Sequence, residues 1–136
     1  MYKLITIILL VSNITIAQNA DDIIGKYHLP NNLDVEIFKT NNTYSGRIIA
    51  LNGFENGQTK DINNPNSSEQ KKDLIGKVII KKLSFDKESK QWLLGKMYGP
   101  EKGMFFNLKV NSVNKEGIEV VGSKFLFWRT LFWNKI

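Results

Sequence analysis

Few side chains in this 136-residue sequence are of the types that carry out chemistry. His28 is the single histidine, and there is no cysteine. Zinc and similar metals draw three or four ligands chiefly from these two residue types, so we expect no metal site and no cofactor. No serine-histidine-acid motif surrounds His28, and a histidine at a strand end more commonly has a structural role. The sequence therefore predicts a protein that is not an enzyme.

An oxygen-rich segment is the second candidate for chemistry, and it reads Asp61-Ile62-Asn63-Asn64-Pro65-Asn66. An EF-hand calcium loop that began at Asp61 would need glycine at its sixth position and glutamate at its twelfth. Asn66 and Lys72 occupy those positions. We therefore favour a network of Asx turns that ends in a proline-fixed turn, and the role of the motif stays open. The residues of the motif that we single out for this open role are Asp61, Asn63, Asn64 and Pro65.

Two carboxylates could in principle form the acid pair of a glycoside hydrolase, since Asp61 and Glu101 both lie in predicted loops. Such an enzyme needs both acids to face one cleft. Nothing in the sequence brings these two together. We expect Glu101 to be exposed in a Pro-Glu-Lys-Gly turn.

The N-terminus has the order of a secretory signal peptide. Lys3 precedes the apolar run Leu4–Val11, and small residues follow at Thr15-Ile16-Ala17. The run is too short to span a membrane, because a spanning helix needs about 20 apolar residues. We expect cleavage after Ala17, or alternatively after Ala20. Residues 18–136 then form a single domain of an exported protein, either periplasmic or secreted.

Charge and composition restrict the partners. The net charge is +6, and loss of Lys3 with the signal leaves 18 − 13 = +5, spread over scattered lysines. Export and the absence of a basic run disfavour nucleic acid as a partner. The absence of cysteine excludes a lipoprotein anchor, which requires an acylated thiol.

After the predicted signal, apolar residues alternate with polar ones and turn residues recur at short intervals. This pattern predicts eight strands: 23–28, 35–39, 44–51, 77–85, 91–98, 104–111, 118–122 and 127–135. Eight antiparallel strands in a meander have exposed edges unless they close, so we expect an all-β, eight-stranded, up-and-down barrel. One long polar loop, 52–73, interrupts the series.

Alternation also predicts which side chains face inward. Met104, Phe106, Leu108 and Val110 share one face of their strand, and Ile118 and Val120 share one face of the next. The last strand is apolar on both faces, with Trp128 and Phe132 on the outer one. We therefore expect its outer face to be covered by the N-terminal segment, the long loop or a partner chain.

Several motifs resemble the bacterial family called domain of unknown function 2147. They are Ile24–Tyr27, Tyr44–Ile48, Asp61–Asn66, Leu74–Gly76, Trp92–Gly103, Gly122 and Arg129–Trp133. The resemblance implies an exported, lipocalin-like barrel. It departs from the family pattern at Tyr27, at Gly99 and at Met104–Phe106. Lipocalin-like barrels commonly place an aromatic residue of the first strand beneath an arginine of the last. This implies that Tyr27 and Arg129 close one end by a cation–π contact, or alternatively that Arg129 binds a ligand carboxylate.

Two functions follow as hypotheses. In the first, the barrel binds a small hydrophobic or amphipathic ligand such as a lipid, and loop 52–73 covers the mouth. The expected ligand-binding residues are Phe38, Tyr44, Phe106, Phe127 and Arg129. In the second, the protein is an envelope-associated or protein-interaction module with a fully packed barrel and no ligand, and it can form a homo-oligomer through its last strand.

Overall fold

The computed structural model describes residues 18–136, which form a closed barrel of eight antiparallel strands in sequence order. The strands are β1 Gly25–His28, β2 Asp34–Thr40, β3 Thr43–Ala50, β4 Val78–Asp86, β5 Gln91–Gly99, β6 Met104–Asn114, β7 Gly117–Lys124 and β8 Phe127–Lys135. This confirms the predicted all-β, eight-stranded, up-and-down barrel. The predicted signal peptide, residues 1–17, lies outside the described residues.

Short helical segments lie outside the strands. A 3-10 helix, Ala20–Ile23, precedes β1. The long β3–β4 loop contains Phe54–Gly57, a turn with left-handed backbone at Glu55 and Asn56, and the short 3-10 helix Ser67–Glu69. Within residues 18–136, no helix is long and apolar enough to cross a membrane.

The barrel closes where β1 pairs with β8, and Tyr27 lies opposite Lys135. Because consecutive strands run in opposite directions, the β2–β3, β4–β5 and β6–β7 turns share one end of the barrel with the 3-10 helix. We call this the closed end. The β1–β2, β3–β4, β5–β6 and β7–β8 connections share the other, which we call the open end.

The 3-10 helix plugs the closed end by offering backbone carbonyls to buried side chains. The indole Nε1 of Trp92 donates to the carbonyl of Ala20 at 2.9 Å, and the hydroxyl of Tyr27 donates to that of Ile23 at 2.8 Å. The hydroxyl of Tyr44 donates to the carboxylate of Asp21. These bonds satisfy aromatic polar groups that would otherwise be buried without partners.

The prediction that Tyr27 and Arg129 form a cation–π contact is wrong. Tyr27 pairs in register with Lys135, six residues beyond Arg129. Since a strand advances about 3.3 Å per residue, Arg129 lies about 20 Å along the barrel wall from Tyr27. The backbone of the 3-10 helix takes the closing role that was expected of Arg129.

Residues 18–136 contain three tyrosines, and all three are buried, so they predict how stability depends on alkaline pH. Burial raises the pKa of Tyr27 to about 12 from its ordinary value of 10. Burial, together with a hydrogen bond to a carboxylate, raises the pKa of Tyr44 and of Tyr98. Because the folded state holds these protons more tightly, their contribution to stability is complete below pH 10 and is lost above it.

We therefore expect the free energy of unfolding in urea to fall as pH rises from about 10 towards 12. Tyrosinate absorbance should increase only as the folded near-ultraviolet circular dichroism disappears. Tyr27→Phe should lower stability at neutral pH by about 1 kcal/mol, through loss of its hydrogen bond, and should flatten the alkaline decline. If the three tyrosines instead ionised with a midpoint near pH 10 while the protein stayed folded, their pKa values would not be raised by burial.

Candidate functional site

The interior of the barrel is packed at its closed end and hollow towards its open end. A cavity of about 360 Å³ opens there. Its walls come from inward-facing residues of β5–β8, with the β1–β2 loop and the β5–β6 turn at the rim. They are Leu29, Pro30, Asn31, Met97, Glu101, Phe106, Leu108, Val120, Gly122, Arg129, Leu131 and Trp133.

The cavity exists at this position partly because Gly122 faces inward without a side chain. Gly122 pairs in register with Arg129 on β8. A Cβ atom on Gly122 would lie 3.4 Å from the ring of Phe106, so a larger residue would begin to fill the space between Phe106 and Arg129. The glycine thus leaves room beside the guanidinium.

The inward face of β8 runs from polar at the mouth to apolar at depth. Arg129, Leu131 and Trp133 point inward in turn, about 7 Å apart. Trp133 is buried, Leu131 is half-buried and Arg129 is exposed to solvent at the mouth. An amphipathic molecule would match this order with its charged group outermost.

Two charged groups line the cavity, and neither forms an ion pair within residues 18–136. One is the guanidinium of Arg129. The other is the carboxylate of Glu101, whose Oε2 is buried and has no hydrogen-bond partner among the described residues. Glu101 was expected to be exposed, and that expectation is wrong. Its carboxylate folds back over Gly99, where a Cβ would lie 3.1 Å from Oε1, so a residue without a side chain makes room for it.

Of the five residues predicted to bind a ligand, Phe106 and Arg129 line the cavity. Phe127 belongs to the same inward series on β8 but lies beyond the barrel wall, where it is 81% exposed. Tyr44 faces inward at the closed end, where its hydroxyl bonds Asp21. It is therefore part of the plug and does not line the cavity.

The prediction that Phe38 lines the interior is wrong. On β2, the buried residues are Val35 and Ile37, so alternation places Phe38 on the outer face. The guanidinium of Arg47 lies 4.6 Å from the centre of the Phe38 ring. This exterior cation–π contact shields the ring from water.

The β3–β4 loop is fixed to the barrel by a buried carboxylate. Asp61 is 0% exposed, and it accepts hydrogen bonds from the hydroxyl of Tyr98 and the amide of Asn64, both at 2.7 Å. The amine of Lys77 lies 3.1 Å from the same carboxylate. Burial alone would lower the pKa of Lys77, but its bonds to Asp61 and Glu69 raise it above the ordinary value. The lysine therefore stays charged beside Asp61.

The same loop contacts the β5–β6 turn directly. The side-chain amide of Asn63 donates to the carbonyls of Pro100 and Glu101, at 3.3 and 3.2 Å. Gly103 has a φ of +64°, and a Cβ there would lie 1.8 Å from the carbonyl oxygen of Asn63. The Asp61–Asn66 motif thus interlocks with the turn that ends the Trp92–Gly103 motif, and this contact holds the turn that bears Glu101.

The expectation that the loop covers the mouth is wrong. None of the described residues 52–77 lines the cavity, because the Asp61 network holds the loop against β4 and β5. Within the loop, the amides of Asn66 and Ser68 donate to the side-chain oxygens of Asn64 and Asn66, at 2.9 and 3.1 Å. This is the Asx-turn arrangement that the sequence favoured over a calcium loop.

The remaining candidates for chemistry are already paired or dispersed. His28 Nδ1 lies 2.6 Å from the carboxylate of Asp34, on the neighbouring strand. In the part of the chain that the structure describes, no three histidine, aspartate or glutamate side chains are grouped so as to hold a metal ion.

Replacement of Asp61 tests whether the buried network holds the loop. We expect Asp61→Asn to lower the free energy of unfolding by about 2 kcal/mol, because Lys77 loses a buried counter-charge. Asp73→Asn is a matched control, since Asp73 pairs with Lys60 on the surface and its loss should change stability by less than about 0.5 kcal/mol. Equal effects of the two variants in urea denaturation would show that the buried carboxylate has no special role.

Comparisons with known proteins agree with this architecture. A solved structure of protein HP1028 from Helicobacter pylori, described as belonging to the lipocalin family, superimposes with a TM-score of 0.70. The two chains are 22% identical, and the match covers 84% of this chain and 82% of that one. No curated protein matches the sequence. The family model for DUF2147, an uncharacterized protein conserved in bacteria, matches residues 21–135. The chain therefore belongs to the DUF2147 family, and its fold is that of a lipocalin.

Proposed function

We propose that this protein binds a small amphipathic molecule in the open-end cavity, with an anionic group at Arg129 and an apolar chain directed towards Trp133. The observation that carries the proposal is the apolar cavity with a guanidinium at its mouth that forms no ion pair within residues 18–136. Lipocalin-like barrels of eight strands are wide enough to hold one small ligand.

The size of the cavity restricts the ligand. Small-molecule sites commonly enclose about 300–1,000 Å³, and the volume of about 360 Å³ lies near the lower limit. A single acyl chain of moderate length therefore suits the cavity better than a lipid with two chains. Burial of such a chain against Leu108, Val120 and Leu131 supplies the apolar part of the binding free energy.

Glu101 adds a second requirement. Its buried Oε2 has no hydrogen-bond partner in the described part of the chain, so it favours a hydrogen-bond donor on the ligand and disfavours a second negative charge. We therefore infer that the ligand carries a hydroxyl or an N–H group beside its anionic group. We also infer binding without catalysis, because Glu101 and Arg129 are the only titratable groups among the described residues that line the cavity.

We further propose that the protein is exported and that the mature chain begins at Gln18. Two contacts of the first described residues support this start. The side chain of Gln18 accepts a hydrogen bond from the amide of Val113 at 2.8 Å, and Ala20 accepts one from Trp92. Cleavage after Ala20 would remove both residues. The intact mass of the protein recovered from its host would distinguish the two cleavage sites.

Replacement of Arg129 tests the binding mode with dodecanoate as the probe. We expect Arg129→Gln to weaken dodecanoate binding by about 10- to 100-fold in isothermal titration calorimetry, because a charge-assisted hydrogen bond is lost. Arg47→Gln is the matched control, since Arg47 lies on the outer face and should leave the affinity unchanged.

Two further measurements separate the cavity from the surface. Gly122→Leu should abolish binding by filling the space beside Arg129. The 3-hydroxy derivative of dodecanoate should bind more tightly than dodecanoate, and Glu101→Gln should reduce that difference. Dodecanoate binding that is unchanged by both Arg129→Gln and Gly122→Leu would exclude the cavity as the site.

A further inference from the structure

The turn between β7 and β8 exposes four consecutive large apolar side chains. Phe125, Leu126, Phe127 and Trp128 are 90%, 86%, 81% and 75% exposed, respectively. Lys124 pairs with Phe127, so Phe125 and Leu126 form a two-residue hairpin loop. We call Phe125–Trp128 the hairpin tip.

The composition of the hairpin tip is not explained by turn formation. Two-residue hairpin loops favour asparagine, aspartate and glycine, which tolerate a positive φ. Phe125 has a φ of +56°, a conformation that is unfavourable for a bulky residue. The sequence thus keeps an aromatic side chain in water at a position where a small polar residue would be more stable. A contact outside the folded domain would account for it.

The surface around the hairpin tip is basic. Phe105 and Phe125 line one shallow surface depression together with Lys96 and Lys124. A neighbouring groove on the outer face of β5–β8 contains Trp128, Lys96 and Lys109. A third depression lies beside Phe127 and Arg129. Among the described residues, no aspartate or glutamate lines any of the three.

We propose that the hairpin tip inserts into the surface of an anionic lipid bilayer. The tip is a protrusion whose side chains contact little of their own domain, and it requires a surrounding medium that can deform around it. A bilayer interface provides this medium for Phe125, Leu126 and Phe127, and it is the preferred environment of an exposed tryptophan. Lys96, Lys109 and Lys124 would lie at the level of anionic headgroups.

A second copy of the chain fits this surface less well than a bilayer does. In a two-fold dimer the same patch faces itself, so the lysines of one copy would oppose the lysines of the other. This repulsion has no compensation from acidic residues among the described residues that line the patch. An anionic lipid surface satisfies the apolar tip and the basic surroundings together.

The hairpin tip lies next to the mouth of the open-end cavity. Phe127 and Arg129 lie two residues apart on β8, so docking would bring the cavity mouth to the bilayer surface. The docking proposal does not depend on the cavity holding a ligand, because the tip and its lysines are outside it.

Vesicle binding of residues 18–136 tests the proposal. Trp128 is the single exposed tryptophan of three, since Trp92 and Trp133 are buried. We expect vesicles that contain phosphatidylglycerol to shift the tryptophan emission to shorter wavelength, and lipids brominated near the interface to quench it. Trp128→Phe should remove the shift but retain co-sedimentation with the vesicles.

Charge and position provide the controls. Leu126→Asp should reduce the vesicle partition coefficient at least tenfold, and Lys124→Glu should reduce it several-fold, with both effects larger at low salt. Ile136→Asp is the matched control, because Ile136 is 65% exposed at the closed end and should bind as the wild type does. Circular dichroism would verify that each variant is folded.

Three outcomes would overturn the proposal. The first is no binding to phosphatidylglycerol vesicles at low salt. The second is equal binding by Leu126→Asp and the wild type. The third is a dimer in sedimentation that Leu126→Asp dissociates in the absence of any vesicle binding, which would identify a second copy as the occupant. Dodecanoate titration in the absence of vesicles reports on the cavity separately.

Discussion

The carboxylate of Asp61 is buried between a tyrosine hydroxyl, an asparagine amide and a lysine amine, and the open end of the barrel depends on this cluster. A buried carboxylate without such partners would destabilise the fold by several kcal/mol. Once the partners are present, the charge fixes the chain around it. Tyr98 belongs to β5, Lys77 precedes β4, and Asn64 lies in the loop, so one side chain joins three segments. The long polar loop is thereby held against the barrel.

Buried polar groups are satisfied in different ways at the two ends of the barrel. At the closed end, backbone carbonyls of the 3-10 helix accept hydrogen bonds from Trp92 and Tyr27. At the open end, the loop and the β5–β6 turn hold one another, and Glu101 is directed inward without a partner among the described residues. The packed end supplies stability, whereas the open end places a carboxylate and a guanidinium beside an apolar cavity, neither in an ion pair within residues 18–136. This asymmetry suits the proposed binding function, because groups that are held in place before a ligand arrives reduce the entropic cost of binding.

Much of the fold could be predicted from the sequence because its determinants are local. Alternation on β6 and β7 placed Leu108 and Val120 on the inner face, where the structure has them buried. Phe38 was assigned to the wrong face because a short run, Val35–Lys39, gives little alternation from which to choose. The prediction of a Tyr27–Arg129 contact was wrong because the contact depends on the register between the first and last strands, which no local pattern encodes.

The candidate site was predictable only in part. The position of one of its two charged groups, the Glu101 carboxylate, depends on contacts between segments that are distant in the sequence. Phe106 follows from alternation on β6, whereas Arg129 was implied by the resemblance to the family. Glu101 follows from neither, because its inward orientation comes from Gly99 making room and from the bond between Asn63 and the turn. The two motifs that take part, Asp61–Asn66 and Trp92–Gly103, are both visible in the sequence. Their interlocking could be found only from the structure.

The proposed ligand of the open-end cavity, a single-chain anionic amphiphile, can be sought by native mass spectrometry. The mature protein would be purified from its own host and measured before and after extraction with organic solvent. We expect an additional mass, consistent with one such molecule, that extraction removes and that added fatty acid restores. A bare protein mass that no fatty acid shifts would show that the cavity does not hold such a molecule and would leave the barrel to act through its surface.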